Sequence, residues 1–261
     1  MAPTATQHHD RADMGARLRA VSPVAARLID SDPRLLRFVH RAPDPRGLSR
    51  AVVDAVRLRR ALRLLRKRLI VWSAHQELIF GAHPLVTAKQ WSDAADAALV
   101  AADVVAFRAA VARFGAVPPG SFSGRAVLAL GKLGSGELNP SSDIDVVCVY
   151  GDDDGVTAAG HSAHELFTHW ARGLRSLLAD VDDDGFAFRV DFDLRPEGTR
   201  GPLVNSLAAM EDYYERFGRT WERAALLRLR ASVDVDGAGA RLHKRLVPFV
   251  FQRSLSPKIV D

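Results

Sequence analysis

Between Gly115 and Gly120 the chain places two glycines and two prolines, and the hydrophobic patterns on either side of that cluster belong to different kinds of structure. Before it, from Pro23 to Phe114, apolar residues recur at helical spacing with hardly any strand signal. The clearest helix is expected over residues 48–80, where Leu58, Leu62, Leu65, Leu69, Trp72 and Ile79 form one apolar seam. The arginines and Lys67 between them fall mostly on the other faces, and they read as a solvated surface in preference to a DNA-reading helix. A second helix, rich in alanine, is expected over residues 87–114. Residues 1–20 are polar and unpatterned, which predicts a flexible tail. The chain then divides into a helical region over 21–117 and a second unit over 118–261.

After the proline cluster the period changes. Ala126 to Leu130 reads as a short buried strand, followed by a glycine-rich loop over residues 131–136. Residues 143–150 form a second expected strand, and residues 161–178 a helix bounded by acidic turns. A third strand is expected over residues 186–195. Phe186, Phe188, Val190, Phe192 and Leu194 point one way there; Ala187, Arg189, Asp191, Asp193 and Arg195 point the other. A long helix is expected over residues 206–230. The pattern predicts an α+β fold, a mixed sheet flanked by helices and preceded by an all-helical segment.

Composition narrows the functional classes. With 48% hydrophobic and 26% charged residues the chain is that of a globular protein, and no run of apolar residues is long enough to span a membrane. The single cysteine, Cys148, sits among valines and reads as a buried small hydrophobe; one cysteine fits a reducing cytoplasm. The net charge of +5 divides into +9 for residues 1–120 and −4 for the remainder. Arginine and alanine are abundant throughout, so a compositional bias explains that asymmetry better than nucleic-acid binding.

Several attractive motifs fail. Gly131-Lys132 is followed by Leu133 where a Walker A loop needs Ser or Thr, and Ser135 lacks the spacing of a nucleophile elbow. His161, His164 and His169 lack a metal-binding helical spacing and read as surface residues. What survives is a set of carboxylates beside a glycine loop. Asp143 and Asp145 lie two apart at the start of a strand and project to one face, where their repulsion is relieved by a bound divalent cation. Asp191 stands on the polar face of the third strand. Three convergent carboxylates suit Mg²⁺, and backbone N–H groups around Gly134 and Ser135 suit phosphates. That is the layout of metal-assisted phosphoryl or nucleotidyl transfer.

The string Gly131-Lys132-Leu133-Gly134-Ser135-Gly136-Glu137-Leu138-Asn139, then Ser141-Ser142-Asp143-Ile144-Asp145, resembles the signature of glutamine synthetase adenylyltransferases, a branch of the nucleotidyltransferase superfamily. The resemblance continues through Val190-Asp191-Phe192-Asp193-Leu194-Arg195-Pro196, Asp212-Tyr213-Tyr214 and Trp221-Glu222-Arg223 to Pro248-Phe249-Val250-Phe251, about three-quarters of the chain. It implies a nucleotidyltransferase-type sheet over residues 118–261 and resembles the N-terminal, adenylyl-removing half of such proteins. That half removes AMP from an adenylyl-tyrosine of glutamine synthetase by Mg²⁺-dependent phosphorolysis, giving ADP; the other half uses ATP to attach AMP. Alternatives are attachment of AMP to glutamine synthetase or another acceptor, and a non-catalytic remnant that binds nucleotide or a partner. Carried over, Asp143, Asp145 and Asp191 would be the catalytic metal ligands. Gly134, Ser135, Lys132 and Arg195 would hold nucleotide phosphates, and Glu222 and Arg223 would be structural. The implied partners are glutamine synthetase and a PII-type signalling protein. The chain stops at Asp261, where the resemblance implies a further helical segment and a second catalytic domain. It departs from the family at Asp193, where relatives usually carry arginine.

Overall fold

Alanine on one side of a long helix lets a neighbouring helix come close, and this contact organises the molecule. A computed structural model describes residues 5–118 and 124–251 of the chain. Helices α1 (Ala5–Val21), α2 (Pro23–Ser31), α3 (Ala55–Ala74) and α4 (Pro84–Phe114) come first. The segment expected as a flexible tail is helical from Ala5 onward, and Leu18 is fully buried against α2 neighbours such as Ala25 and Ile29. The helix expected over residues 48–80 begins later, after a 3₁₀ segment at Pro45–Ala51, and Asp54 caps it by accepting from the Arg57 N–H. Leu58, Leu62, Leu65, Leu69 and Trp72 are buried as the seam requires. Pro119 and Gly120 of the expected boundary lie outside the described residues.

The sheet is mixed, as expected, and five-stranded, two strands more than the alternation marks. Strand β1 (Arg125–Ala129) leads through the helical turn α5 (Gly131–Gly134) to its antiparallel neighbour β2 (Ile144–Tyr150). Helix α6 (Ala163–Ala179) opens on a capping box between Ser162 and Glu165. Then come β3 (Val190–Asp191) and β4 (Val204–Ser206), both parallel to β2, at Ile144–Asp145 and Cys148–Tyr150 respectively. Helices α7 (Leu207–Arg216) and α8 (Thr220–Leu226) precede β5 (Arg230–Val235), antiparallel to β1, and α9 (Ala238–Val250) follows. One face of the sheet, with Ile144, Val146 and Cys148, packs on α4 and α6; the other, with Leu128, Val147 and Val149, packs on α7 and α9. Cys148 is buried, and the loss of solvation pushes its thiol pKa up, so it serves as a small apolar residue. Among the described residues no helix is long and apolar enough to cross a membrane.

Two expected elements change. The third strand shortens to a two-residue ladder: Phe188, Val190 and Phe192 are buried and Arg189 and Asp193 exposed, but Ala187 is also buried and the chain turns after Phe192. The long helix over 206–230 breaks at Gly218. A side chain there would lie 2.5 Å from the Phe249 ring and 2.6 Å from the Tyr214 carbonyl, so the glycine admits close packing of α9 at the cost of helix continuity.

The helical half is tied to the sheet by buried charge. Asp103 of α4 is held in bidentate fashion by Arg125 of β1, at 2.7 and 2.8 Å, and accepts from Trp170 Nε1 at 2.9 Å. On α3 the cations expected in solvent instead grip the far end of α6. Arg63, 1% exposed, donates to the carbonyls of Leu177 (2.9 Å), Asp180 (2.5 Å) and Gly185 (3.2 Å) and pairs with Asp182. Lys67 pairs with Asp184 and Arg59 with Asp180. Replacing Arg63 by Met takes the guanidinium donor from the Leu177 and Asp180 carbonyls, while Gly185 keeps the Asp182 N–H, and urea unfolding is expected to show a loss of roughly 3 kcal/mol. The exposed-rim change Lys67→Met should cost about 1 kcal/mol or less. Equal losses would mean that Arg63 contributes no more than a surface pair.

Candidate active site

Register places two acidic side chains next to each other. Asp145 of β2 and Asp191 of β3 are direct partners across the parallel ladder. By the alternation of β2, Asp145 projects to the face of Val147 and Val149. Among the described residues its carboxylate receives no hydrogen bond and no cation. Burial first, then Asp191 and Asp143, pushes its pKa up, with Lys132 partly offsetting them. Asp191 accepts from the Asp193 N–H at 2.6 Å, which fixes the turn that follows.

The Asp143 carboxylate is taken by Arg189, which also donates to the Ser141 carbonyl. Among the described residues no three acidic, histidine or cysteine side chains stand close enough to hold a metal ion. In this arrangement Asp143 is latched by Arg189, although its charge, like that of Asp191, still acts on Asp145. Asp145 and Asp191, side by side without a cation, fit a divalent ion.

The glycine turn also departs from expectation. The N–H groups of Gly134, Ser135 and Gly136 donate to Leu130, Gly131 and Leu133 carbonyls within the turn, so they do not face outward as a phosphate cradle. Gly134 is required for packing: a Cβ there would lie 2.2 Å from the Arg228 carbonyl. Arg230 donates to the Leu133 and Gly134 carbonyls and pairs with Asp96 of α4, which clamps the turn. Gly131 is needed too, since it has a positive φ of 52° and the Asp145 carboxylate occupies the space a side chain would take. Side chains remain available. Lys132 is exposed, with Nζ 3.3 Å from Ser142 Oγ, and Ser135 is exposed, its hydroxyl on the Gly131 carbonyl.

Arg195 also closes the loop between β3 and β4. Its guanidinium is nearly buried, donates to the carbonyls of Phe192 (3.0 Å) and Pro202 (3.1 Å) and pairs with Asp193 at 3.5 Å. It positions that loop and lines the same cleft as Asp191. Asp193, 62% exposed, lies in the turn at the loop's start and not on an extended strand face beside Asp191.

Sequence reading missed the wall opposite the acids. A cleft of about 890 Å³ contains Asp143, Asp191 and Asp193 on one side and His164, Arg172 and Arg175 on the other. Arg172 and Arg175 are exposed, and among the described residues neither guanidinium has a hydrogen-bond or ion-pair partner. The signal was present: positions 164, 168, 172 and 175 recur at the spacing of one helix face. Arg66 of α3 was also missed. It donates to the carbonyls of Pro140 (3.1 Å) and Ala187 (2.9 Å), on the segments that enter β2 and β3. Burial, with Arg189 nearby, pushes its pKa down to about 10, so it is still a cation at neutral pH.

A family model described as glutamate–ammonia ligase adenylyltransferase matches residues 16–244. A bifunctional glutamine synthetase adenylyltransferase/adenylyl-removing enzyme of Ralstonia nicotianae is 40% identical over 215 residues, which are 78% of this chain and 22% of that protein. Proteins of the same description from Burkholderia mallei and Burkholderia pseudomallei are each 39% identical over 209 residues, 76% of this chain and 22% of theirs. The chain thus spans about a fifth of the length of these curated relatives.

Two substitutions test the electrostatics of the pair. Asp145→Asn removes the repulsion with Asp191 and should raise the melting temperature in EDTA. Added Mg²⁺ should then stabilise the wild-type chain and leave the variant unmoved; an equal response of both would remove Asp145 from the site. Asp193→Arg replaces an anion by a cation at the mouth of the cleft. ATP binding is expected to tighten by about 1 kcal/mol at the high effective dielectric of an exposed site. Weaker Mg²⁺-dependent binding would instead make Asp193 a metal ligand.

Proposed function

The chain belongs to the glutamate–ammonia ligase adenylyltransferase family, and from that membership we propose that it removes AMP from an adenylylated tyrosine of glutamine synthetase by phosphorolysis. The observation that carries the reading is the registered pair Asp145 and Asp191, which has no cation partner among the described residues. In the reaction an oxygen of inorganic phosphate attacks the phosphorus of the tyrosine–AMP ester. The P–O bond to tyrosine breaks, AMP and phosphate leave joined as ADP, and the tyrosine oxygen takes up a proton from water.

Asp145 and Asp191 would hold Mg²⁺, with Asp143 joining once Arg189 releases it; the bound ion supplies charge neutralisation for the phosphate oxygens. The chain's own residues do the rest. Arg172 and Arg175 present two unpaired guanidinium forks to the same cleft as Asp191, suited to bidentate contact with phosphate oxygens. Lys132 and the Ser135 hydroxyl would add contacts from the glycine turn. Gly134 holds that turn against Arg228, and Arg195 holds the loop after Asp191. A PII-type protein as regulator and a cytoplasmic location complete the proposal; the location agrees with a single, buried cysteine.

The chain mixed with adenylylated glutamine synthetase, phosphate and Mg²⁺ is expected to form ADP, and Arg172→Gln with Arg175→Gln should raise the KM for phosphate at least tenfold. Ready incorporation of labelled AMP from ATP into unmodified glutamine synthetase would reverse the assigned direction. Silence in both assays would leave a non-catalytic remnant.

A further inference from the structure

A second cavity, of about 690 Å³, opens on the other side of Asp193 and is lined by Arg200, Tyr213, Phe217, Arg219 and Trp221. Its size is that of a small-molecule site. Three of the four tryptophans are at most 5% exposed, whereas Trp221 is 50% exposed and, among the described residues, has no ring or cation against it. Phe217, 64% exposed, stands at the break between α7 and α8, its ring tilted on Tyr213 at 6.2 Å. Beneath them Glu222, 2% exposed, accepts from the Tyr213 hydroxyl at 2.9 Å and the Arg219 N–H at 2.8 Å. The acid is satisfied by the walls and holds the aromatic side in place, which gives Glu222 its structural role. The Arg200 guanidinium has no partner among the described residues.

We propose that this cavity recognises the base of an adenine nucleotide, its ring stacked on Trp221 and its phosphate turned toward Arg200 and Arg219. Asp193 lines both cavities and its N–H bonds to Asp191, so a nucleotide seated here extends toward the acidic pair. Charge decides between occupants. A flat aromatic surface accepts a purine or a tyrosine ring equally. Of the charged lining, buried Glu222 is held by the Tyr213 hydroxyl and the Arg219 N–H, and Asp193 is paired with Arg195. That leaves the Arg200 and Arg219 guanidinium groups against Glu197 alone and favours an anion, which a nucleotide carries and a tyrosine side chain lacks. The inference rests on the nucleotidyltransferase reading and adds to it the site of the base.

Trp221, as the one well-exposed tryptophan, reports on the cavity directly. AMP should quench the chain's tryptophan emission saturably, ribose 5-phosphate and N-acetyltyrosinamide should not, and Trp221→Phe should abolish the signal. In equilibrium dialysis with labelled AMP, Trp221→Phe should keep its affinity, while Trp221→Ala loses about tenfold, the range of one base stack. Undiminished AMP binding by Trp221→Ala, or quenching by N-acetyltyrosinamide without AMP, would overturn the assignment. The readouts need no turnover. AMP stacking by a chain that makes no ADP upholds the cavity and sinks phosphorolysis, whereas Trp221→Ala forming ADP at wild-type KM for adenylylated substrate sinks the cavity alone.

Discussion

The C-terminus of α6 ends in carbonyls that no further helical turn can satisfy, and the buried Arg63 of α3 satisfies them. Much of the site's geometry follows from that contact. It fixes the tight turn Asp182–Gly185, from which the chain enters the segment leading to Asp191. One helical turn along α3, Arg66 holds the Ala187 carbonyl of that segment and the Pro140 carbonyl of the segment leading to Asp143 and Asp145. A two-residue ladder such as β3 has too few hydrogen bonds to define its own register. The register that sets Asp145 beside Asp191 is imposed from outside the sheet, by a row of cations on a helix that contributes nothing to the chemistry.

A second tie runs through α4. Asp103 joins α4 to β1 and α6, and Asp96 joins it to β5 through Arg230 and the Ser232 hydroxyl. Both carboxylates have cation partners and added hydrogen bonds, the condition under which a partly buried ion pair is tolerated. Arg230 also grips the glycine turn, so the same helix that carries the alanine contact with α6 steadies the loop next to Asp145. Helical segment and sheet share one apolar core, and the site lies where their polar ties converge.

The parts of this arrangement that were legible in the sequence are those set by local periodicity. The apolar seam of α3 and the strands β1 and β2 need only a side-chain period. What stayed hidden depends on partners distant in sequence. The cations of α3 look like a solvated face until α6 is packed against them. Gly218 reads as a tolerated helix residue until Phe249 arrives. The alternation from Phe188 to Asp193 correctly reported burial but overstated the strand, because burial by α4 and α6 imposes the same pattern as a ladder. The glycine turn misled for a related reason: its glycines answer to Asp145 and Arg228, and its inner N–H groups to its own carbonyls.

The three acids that the sequence presents as equals are made unequal by their surroundings. Asp143 and Arg189 are 44% and 51% exposed, so their pair is a surface contact worth about 1 kcal/mol or less. On the proposed function, a divalent cation, with twice the charge and no side-chain entropy to lose, would exchange for Arg189 at little cost. Asp145 and Asp191 have no such substitute. The strand register holds them together, partial burial thins the solvent around Asp145, and Lys132 acts only at a distance. Their repulsion is built into the fold and has to be relieved by something that enters the site. Arg189 neutralises the outer acid, so the charge left uncompensated at the site is that of Asp145 and Asp191.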